Sequence, residues 1–140
     1  METARKLPDG AFRHGETDRA GPYLGDTLAM AEAYERLHAA GGESTDSEHA
    51  LESLRALDAR FRHAESGYFT APVEKGATGV FSKPVRIVEE NIAIARLALR
   101  LGQREIADRA LAWLASPTLP EERPFSPGVL LADRERSSVK

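Results

Sequence analysis

The sequence predicts an all-α protein built from helical hairpins, with one small β-hairpin or ordered loop between them. Three observations lead there. Four stretches carry apolar residues at three- and four-residue spacing, which is the period of one helix face. Glycines follow three of these stretches directly, as helix stops do. Only Tyr68-Phe69-Thr70 and Val80-Phe81-Ser82, around a glycine-rich centre, have β-favouring character.

The elements follow in order. Residues 1–25 are polar and glycine-rich and read as a loop or tail. Asp26 stands where a helix N-cap belongs, ahead of Thr27–Ala40, and Met30, Ala33, Tyr34 and Leu37 mark an apolar face. Gly41-Gly42 stops that helix. A second helix is predicted from a cap near Asp46 or Ser47, with Ala50, Leu51, Leu54, Leu57 and Phe61 as its stripe, closing at Gly67. Gly67–Val85 is the hairpin or ordered loop. A third helix starts near Ile87 or Val88 and runs to Leu101. Its apolar residues occupy nearly all sides, so it should be deeply buried. Gly102 separates it from a fourth, Gln103–Ser116, with Ile106, Ala110, Trp113 and Leu114 on one face. Pro117, Pro120 and Pro124 make an extended connection, and Ser126-Pro127 opens a short fifth helix as cap and first-turn proline. The domain reading is a polar segment at 1–25, one helical domain at 26–135 and a frayed tail at 136–140. Within it the layout helix, glycine, helix occurs twice.

Bulk properties narrow the function. A chain of 140 residues is long enough for one core. The net charge of −3 gives no electrostatic footprint for nucleic acid or an anionic membrane. With no cysteine, thiolate nucleophiles, disulfides and cysteine metal sites are excluded. The first residues lack the apolar core of a signal peptide. Ile92–Leu101, broken by Arg96 and Arg100, is too short and charged to span a bilayer. A cytoplasmic location is the expectation. His38, His49 and His63 have no metal-site spacing, and HExxH is absent. Gly76-Ala77-Thr78-Gly79 is not a phosphate-binding P-loop, and there is no GxSxG. Neither a metal nor a cofactor is expected.

The order of pieces resembles a known series. A glycine-rich run ends in Asp26 before an alanine-rich helix. The turn Gly67-Tyr68-Phe69-Thr70 follows the second helix, and Glu90-Asn91 opens the apolar third helix. Over roughly residues 9–135 this is similar to the C-terminal α/α-toroid region of the spermatogenesis-associated, thioredoxin-domain-containing family. Their helical barrel is like that of N-acylglucosamine 2-epimerases and six-hairpin glycosidases. The chain departs from that family in having no thioredoxin-like part, no cysteine and two visible hairpins where a full toroid has about six. The resemblance implies a partial toroid: a segment of such a protein, a split product or a small relative. Apolar helix sides left without neighbours then imply a homo-oligomer or docking to a partner chain.

The resemblance also implies a cleft lined by inner-helix starts and the loops before them. By position Arg13, His14, Asp26, Glu89, Glu90 and Asn91 would face it. His14, Asp26 and Glu90 are the candidate catalytic groups, since paired carboxylates and a histidine perform acid–base work on sugars. Arg13, Glu89 and Asn91 are the candidate contacts to a carbohydrate-like small molecule. Each residue has a plainer role open to it. Asp26 can be a helix cap, and Glu89 and Glu90 can favour the positive helix end. Asn91 can bond loop backbone, and His14 can make a structural hydrogen bond or face solvent. Three functions remain in view: a toroid segment related to carbohydrate-active enzymes, a non-enzymatic helical interaction module, or a sugar isomerase or hydrolase with its site formed across an oligomer.

Overall fold

The computed structural model describes residues 5–18, 21–72, 85–116 and 127–138. They hold five helices and no strand: α1 Leu24–Ala39, α2 Ser44–Phe61, α3 Val88–Arg100, α4 Arg104–Leu114 and α5 Pro127–Ser138. The chain is all-α with helical hairpins, as its periodicity predicts. No helix among the described residues is long and apolar enough to cross a membrane. Most of the expected hairpin or ordered loop, and the proline-rich connection with Ser126, lie outside the described residues. Contacts divide the chain into two compact units, where the sequence predicts one domain. The first comprises Met1–Arg62 and Phe69–Val85, and the second His63–Tyr68 and Arg86–Lys140.

The first unit is the α1–α2 hairpin and the loop before it. The repeated helix-glycine-helix layout has a definite geometry here. Gly41 takes a positive φ of 93°, its N–H donates to His38 O, and Gly42 N–H donates to Leu37 O. This is the Schellman termination, which satisfies orphan carbonyls with a residue in the left-handed region. Helix α2 then opens at Glu43, whose N–H donates to Asp46 Oδ2 at 3.0 Å. Asp46 therefore caps from inside the first turn, and α2 begins earlier than a cap at Asp46 or Ser47 would place it. It ends at Phe61, short of Gly67. Helix α1 buries Leu24, Thr27, Leu28, Ala31 and Tyr34, whereas Ala33 and Leu37 of the predicted stripe are exposed. The helix carries two apolar stripes: Leu24, Leu28 and Ala31 face the core, and of the second, Met30, Ala33, Tyr34 and Leu37, only Tyr34 is buried.

Residues 5–18 are loop, but they are not a free tail. Lys6 and Phe12 form an antiparallel bridge, and Ala11 and Phe12 are buried. Phe12 N–H donates to Oγ1 of the fully buried Thr27 at 3.1 Å. Lys6 Nζ pairs with Glu52 Oε2 at 2.6 Å, and Arg60 pairs with Asp9. Burial works to raise the Asp9 carboxyl, but the hydrogen bond and charge of Arg60 outweigh it, and the net shift is downward.

The second unit is the α3–α4 hairpin with α5 against both helices and the short segment His63–Tyr68. Gly102, at φ 69°, repeats the same termination: its N–H donates to Leu99 O, and Gln103 N–H donates to Ala98 O at 2.7 Å. Helix α3 buries Ile94, Ala95, Leu97, Ala98 and Leu99, in keeping with its apolar sides. Helix α5 begins at Pro127, the expected first-turn position, but continues past residue 135. Ser137 and Ser138 hydroxyls donate to the carbonyls of Asp133 and Arg134. It is tied by Arg96, whose guanidinium makes three contacts of 2.8–3.1 Å to the Glu135 carboxylate. Arg136 adds a 2.6 Å pair with Asp108. The Arg96 hydrogen bond holds the Glu135 carboxyl below its ordinary value.

The segment His63–Tyr68 is clasped by both helices of this hairpin. Gly67 N–H donates to Arg109 O at 3.0 Å. Tyr68 is fully buried, and its N–H donates to Asn91 Oδ1 at 2.8 Å. Asn91 Nδ2 donates in turn to the carbonyls of Tyr68 and Ile87, at 3.1 and 2.9 Å. Gly67 has φ 74°, and a Cβ there would lie 2.8 Å from Trp113 Cβ and 3.2 Å from Asn91 Oδ1. Gly67→Ala should therefore lose about 2–4 kcal/mol, from left-handed strain plus overpacking. Asn91→Ala should lose a similar ~2–4 kcal/mol, because it strands the buried Tyr68 N–H and C=O. Denaturant unfolding of each variant measures both.

Candidate functional site

The candidate residues fall in both units. In the first, the structure brings two of them together. His14 Nδ1 lies 3.0 Å from Asp26 Oδ1, with the histidine side chain 76% exposed and the aspartate 27%. Asp26 is not the N-cap of α1. Tyr23 holds that position without a side-chain hydrogen bond, and the Leu24 N–H donates to Thr70 O at 2.9 Å. A backbone carbonyl supplied from far along the chain thus does the capping, and the helix starts two residues before Asp26. The aspartate sits in the first turn, where its charge still favours the positive helix end and where it can reach His14. A carboxylate on one ring nitrogen orients an imidazole and leaves the other nitrogen outward, which is the arrangement of a base with its orienting group. Arg13 is exposed, and its backbone N–H donates to Arg5 O at 2.9 Å.

Glu89, Glu90 and Asn91 open α3 in the second unit. Asn91 is fully buried, and the amide it would offer a ligand is already bonded to Tyr68 and Ile87. This is the backbone-bonding role open to it from the sequence. Glu89 is exposed. Glu90 is half-buried, and its Oε2 is enclosed without a hydrogen-bond partner. Burial, with a smaller contribution from the neighbouring Glu89 charge, pushes its carboxyl above the ordinary value. A carboxyl shifted upward suits an acid that donates a proton. Among the described residues no group of three or more His, Asp or Glu side chains is placed to hold a metal ion.

One feature of the first unit escaped the sequence reading. Phe12, Met30, Tyr34, Leu37 and His49 line a pocket of about 460 Å³, with Arg5 and Asp46 at its polar positions. Phe12 and Tyr34 rings are 6.4 Å apart and tilted, and His49 lies 5.1 Å from Tyr34. His14 and Asp26 do not line it. Its signal in the sequence was the second apolar stripe of α1, which periodicity alone assigns to the core.

Two substitutions examine these groups. His14→Ala should leave stability within about 1 kcal/mol, because a contact between two side chains this exposed contributes little; thermal unfolding checks it. Glu90 is raised in the folded state, so the fold binds its proton more tightly than the unfolded chain does. Stability is therefore lost as pH rises from its ordinary value of 4.5 through the higher folded value. Glu90→Gln should be more stable than the parent at pH 7, with the gain vanishing below 4.5, as read from unfolding at both pH values.

Compared with protein-family models, curated protein sequences and solved structures, the chain matches none. What it does must be argued from its own geometry.

Proposed function

We propose that the chain is a helical interaction module that associates with a second copy of itself through α5. The observation that carries this reading is the way α5 is mounted. Its only buried residue is Ala132, while Leu130 is 64% and Leu131 41% exposed. Among the described residues the Arg96–Glu135 and Arg136–Asp108 pairs tie the helix down, and its leucines take no part in that attachment. Leu130 lines a trough of about 430 Å³ with Leu111, Ala112, Ala115 and Val129, and Asp108, Asp133 and Arg136 are its polar positions. The exposed Leu130 beside the space left by Ala112 and Ala115 is a self-complementary pair of features, in which each copy's leucine enters the other's trough.

The α/α-toroid resemblance supports the same surface in another setting, since in a toroid the next hairpin covers each exposed helix side. A second reading draws on the His14–Asp26 pair: a sugar isomerase or hydrolase whose site is formed across an oligomer, with the imidazole as base toward a carbohydrate-like substrate. That reading also requires association first.

Light scattering over micromolar to millimolar protein tests the proposal. The parent mass should rise from 15.3 kDa toward twice that value with concentration. The double variant Leu130→Lys, Leu131→Lys should stay monomeric, with stability changed by no more than about 0.5 kcal/mol as for other surface substitutions. A parent that is monomeric throughout refutes self-association.

A further inference from the structure

We propose that the pocket of the first unit is a binding site for a small carboxylate with a flat apolar body, such as an aromatic acid. This goes beyond self-association through α5 and uses different residues. The pocket holds about 460 Å³, within the range of roughly 300–1,000 Å³ found for small-molecule sites. All its lining residues belong to one compact unit, so it exists without any partner. Its walls select an aromatic ligand. Phe12 and Tyr34 line it, both buried and tilted against each other, and the His49 ring stands 5.1 Å from Tyr34. Met30 and the 54% exposed Leu37, neither of them buried in the core, add apolar surface from α1. Offset and edge-on ring contacts and a thioether beside rings both favour a planar guest.

Charge selects an anion. Among the described lining residues are one guanidinium, Arg5, and one carboxylate, Asp46, and they differ in what already engages them. Asp46 is committed to the start of α2, where Oδ2 accepts the Glu43 N–H. Arg5 makes no side-chain hydrogen bond or ion pair among the described residues. Its backbone is fixed, because Arg5 O accepts the Arg13 N–H at 2.9 Å beside the Lys6–Phe12 bridge. A guanidinium offered from an anchored backbone at the edge of an aromatic pocket presents two parallel donors, which match a carboxylate. The ligand then lies with its ring between Tyr34 and Leu37 and its carboxylate toward Arg5.

The test is a titration of the isotope-labelled protein with 2-naphthoate and, separately, with the uncharged 2-naphthylmethanol, followed by amide chemical shifts. Saturable shifts should gather at Phe12, Met30, Tyr34, Leu37 and His49, with naphthoate binding the tighter. Arg5→Gln should weaken naphthoate about tenfold or more, since the charge and the paired donors are replaced by one neutral amide, and leave the alcohol unchanged. Leu37→Asp, on an exposed position, should weaken both. Binding should persist in the monomeric α5 double variant, which separates this site from self-association. Shifts that do not saturate, shifts centred elsewhere, or an Arg5→Gln variant that keeps the preference for naphthoate would each overturn the assignment.

Discussion

The bonds between Asn91 and the backbone of Tyr68 are the constraint on which the second unit depends. A helix interior gives its side chains no reason to bond a neighbouring segment, and a short irregular segment has no ladder of its own. The Asn91 amide supplies what a neighbouring strand would, with an acceptor for the Tyr68 N–H and a donor for its carbonyl. Its remaining hydrogen reaches back to Ile87, which fixes the first turn of α3 on the same residue. A buried polar side chain is costly unless its groups are satisfied. Here both donors are, and the arrangement specifies one register. Tyr68 then places its hydroxyl 3.4 Å from Ile106 O, so the clasp reaches the start of α4 as well. Around it Arg109 Nη1 donates to His63 O and Arg86 Nη1 to Ser66 O, with the Arg86 guanidinium 5.0 Å from the Trp113 ring centre.

The two hairpins solve one problem with one device. Each must reverse direction between helices without leaving carbonyls bare, and each does so with a left-handed glycine and the paired bonds that accompany it. What differs is how the remaining surface is closed. In the first unit the preceding loop folds back and delivers Phe12 and Ala11 to the core. In the second, α5 is attached by carboxylate–guanidinium pairs, with its leucines outward. Ion pairs at partly exposed positions orient an element more than they stabilise it.

Helix existence was legible because it is a local property: apolar period marked four helices, and the first-turn proline Pro127 marked the fifth. Helix limits were not, where the decisive group comes from a distant residue. Asp26 has the identity and position of a cap, but Thr70 takes that work, and no local pattern reveals it. Helix α2 ends at Phe61 because Phe61 O accepts the N–H of Phe69, while His63 N–H donates to Gly67 O. The candidate site was legible in part. His14 and Asp26 meet, as two groups flanking one helix start can. The double role open to Asn91 could be decided only by seeing where its amide points. The pocket around Tyr34 was hidden for a different reason: α1 has more apolar surface than a two-helix packing consumes, and periodicity does not say which stripe is left over.

The loop before α1 has a consequence for the order of folding. Its anchors span 15 residues from Phe12 to Thr27, 46 from Lys6 to Glu52 and 51 from Asp9 to Arg60. Contacts between α1 and α2 close a far shorter loop. Chain closure grows more costly with separation, so the hairpin forms first and the loop docks onto a surface already made. On a ribosome that order runs against the direction of synthesis. The loop precedes α2 in the chain, so Lys6 and Asp9 meet their partners only after Glu52 and Arg60 have followed.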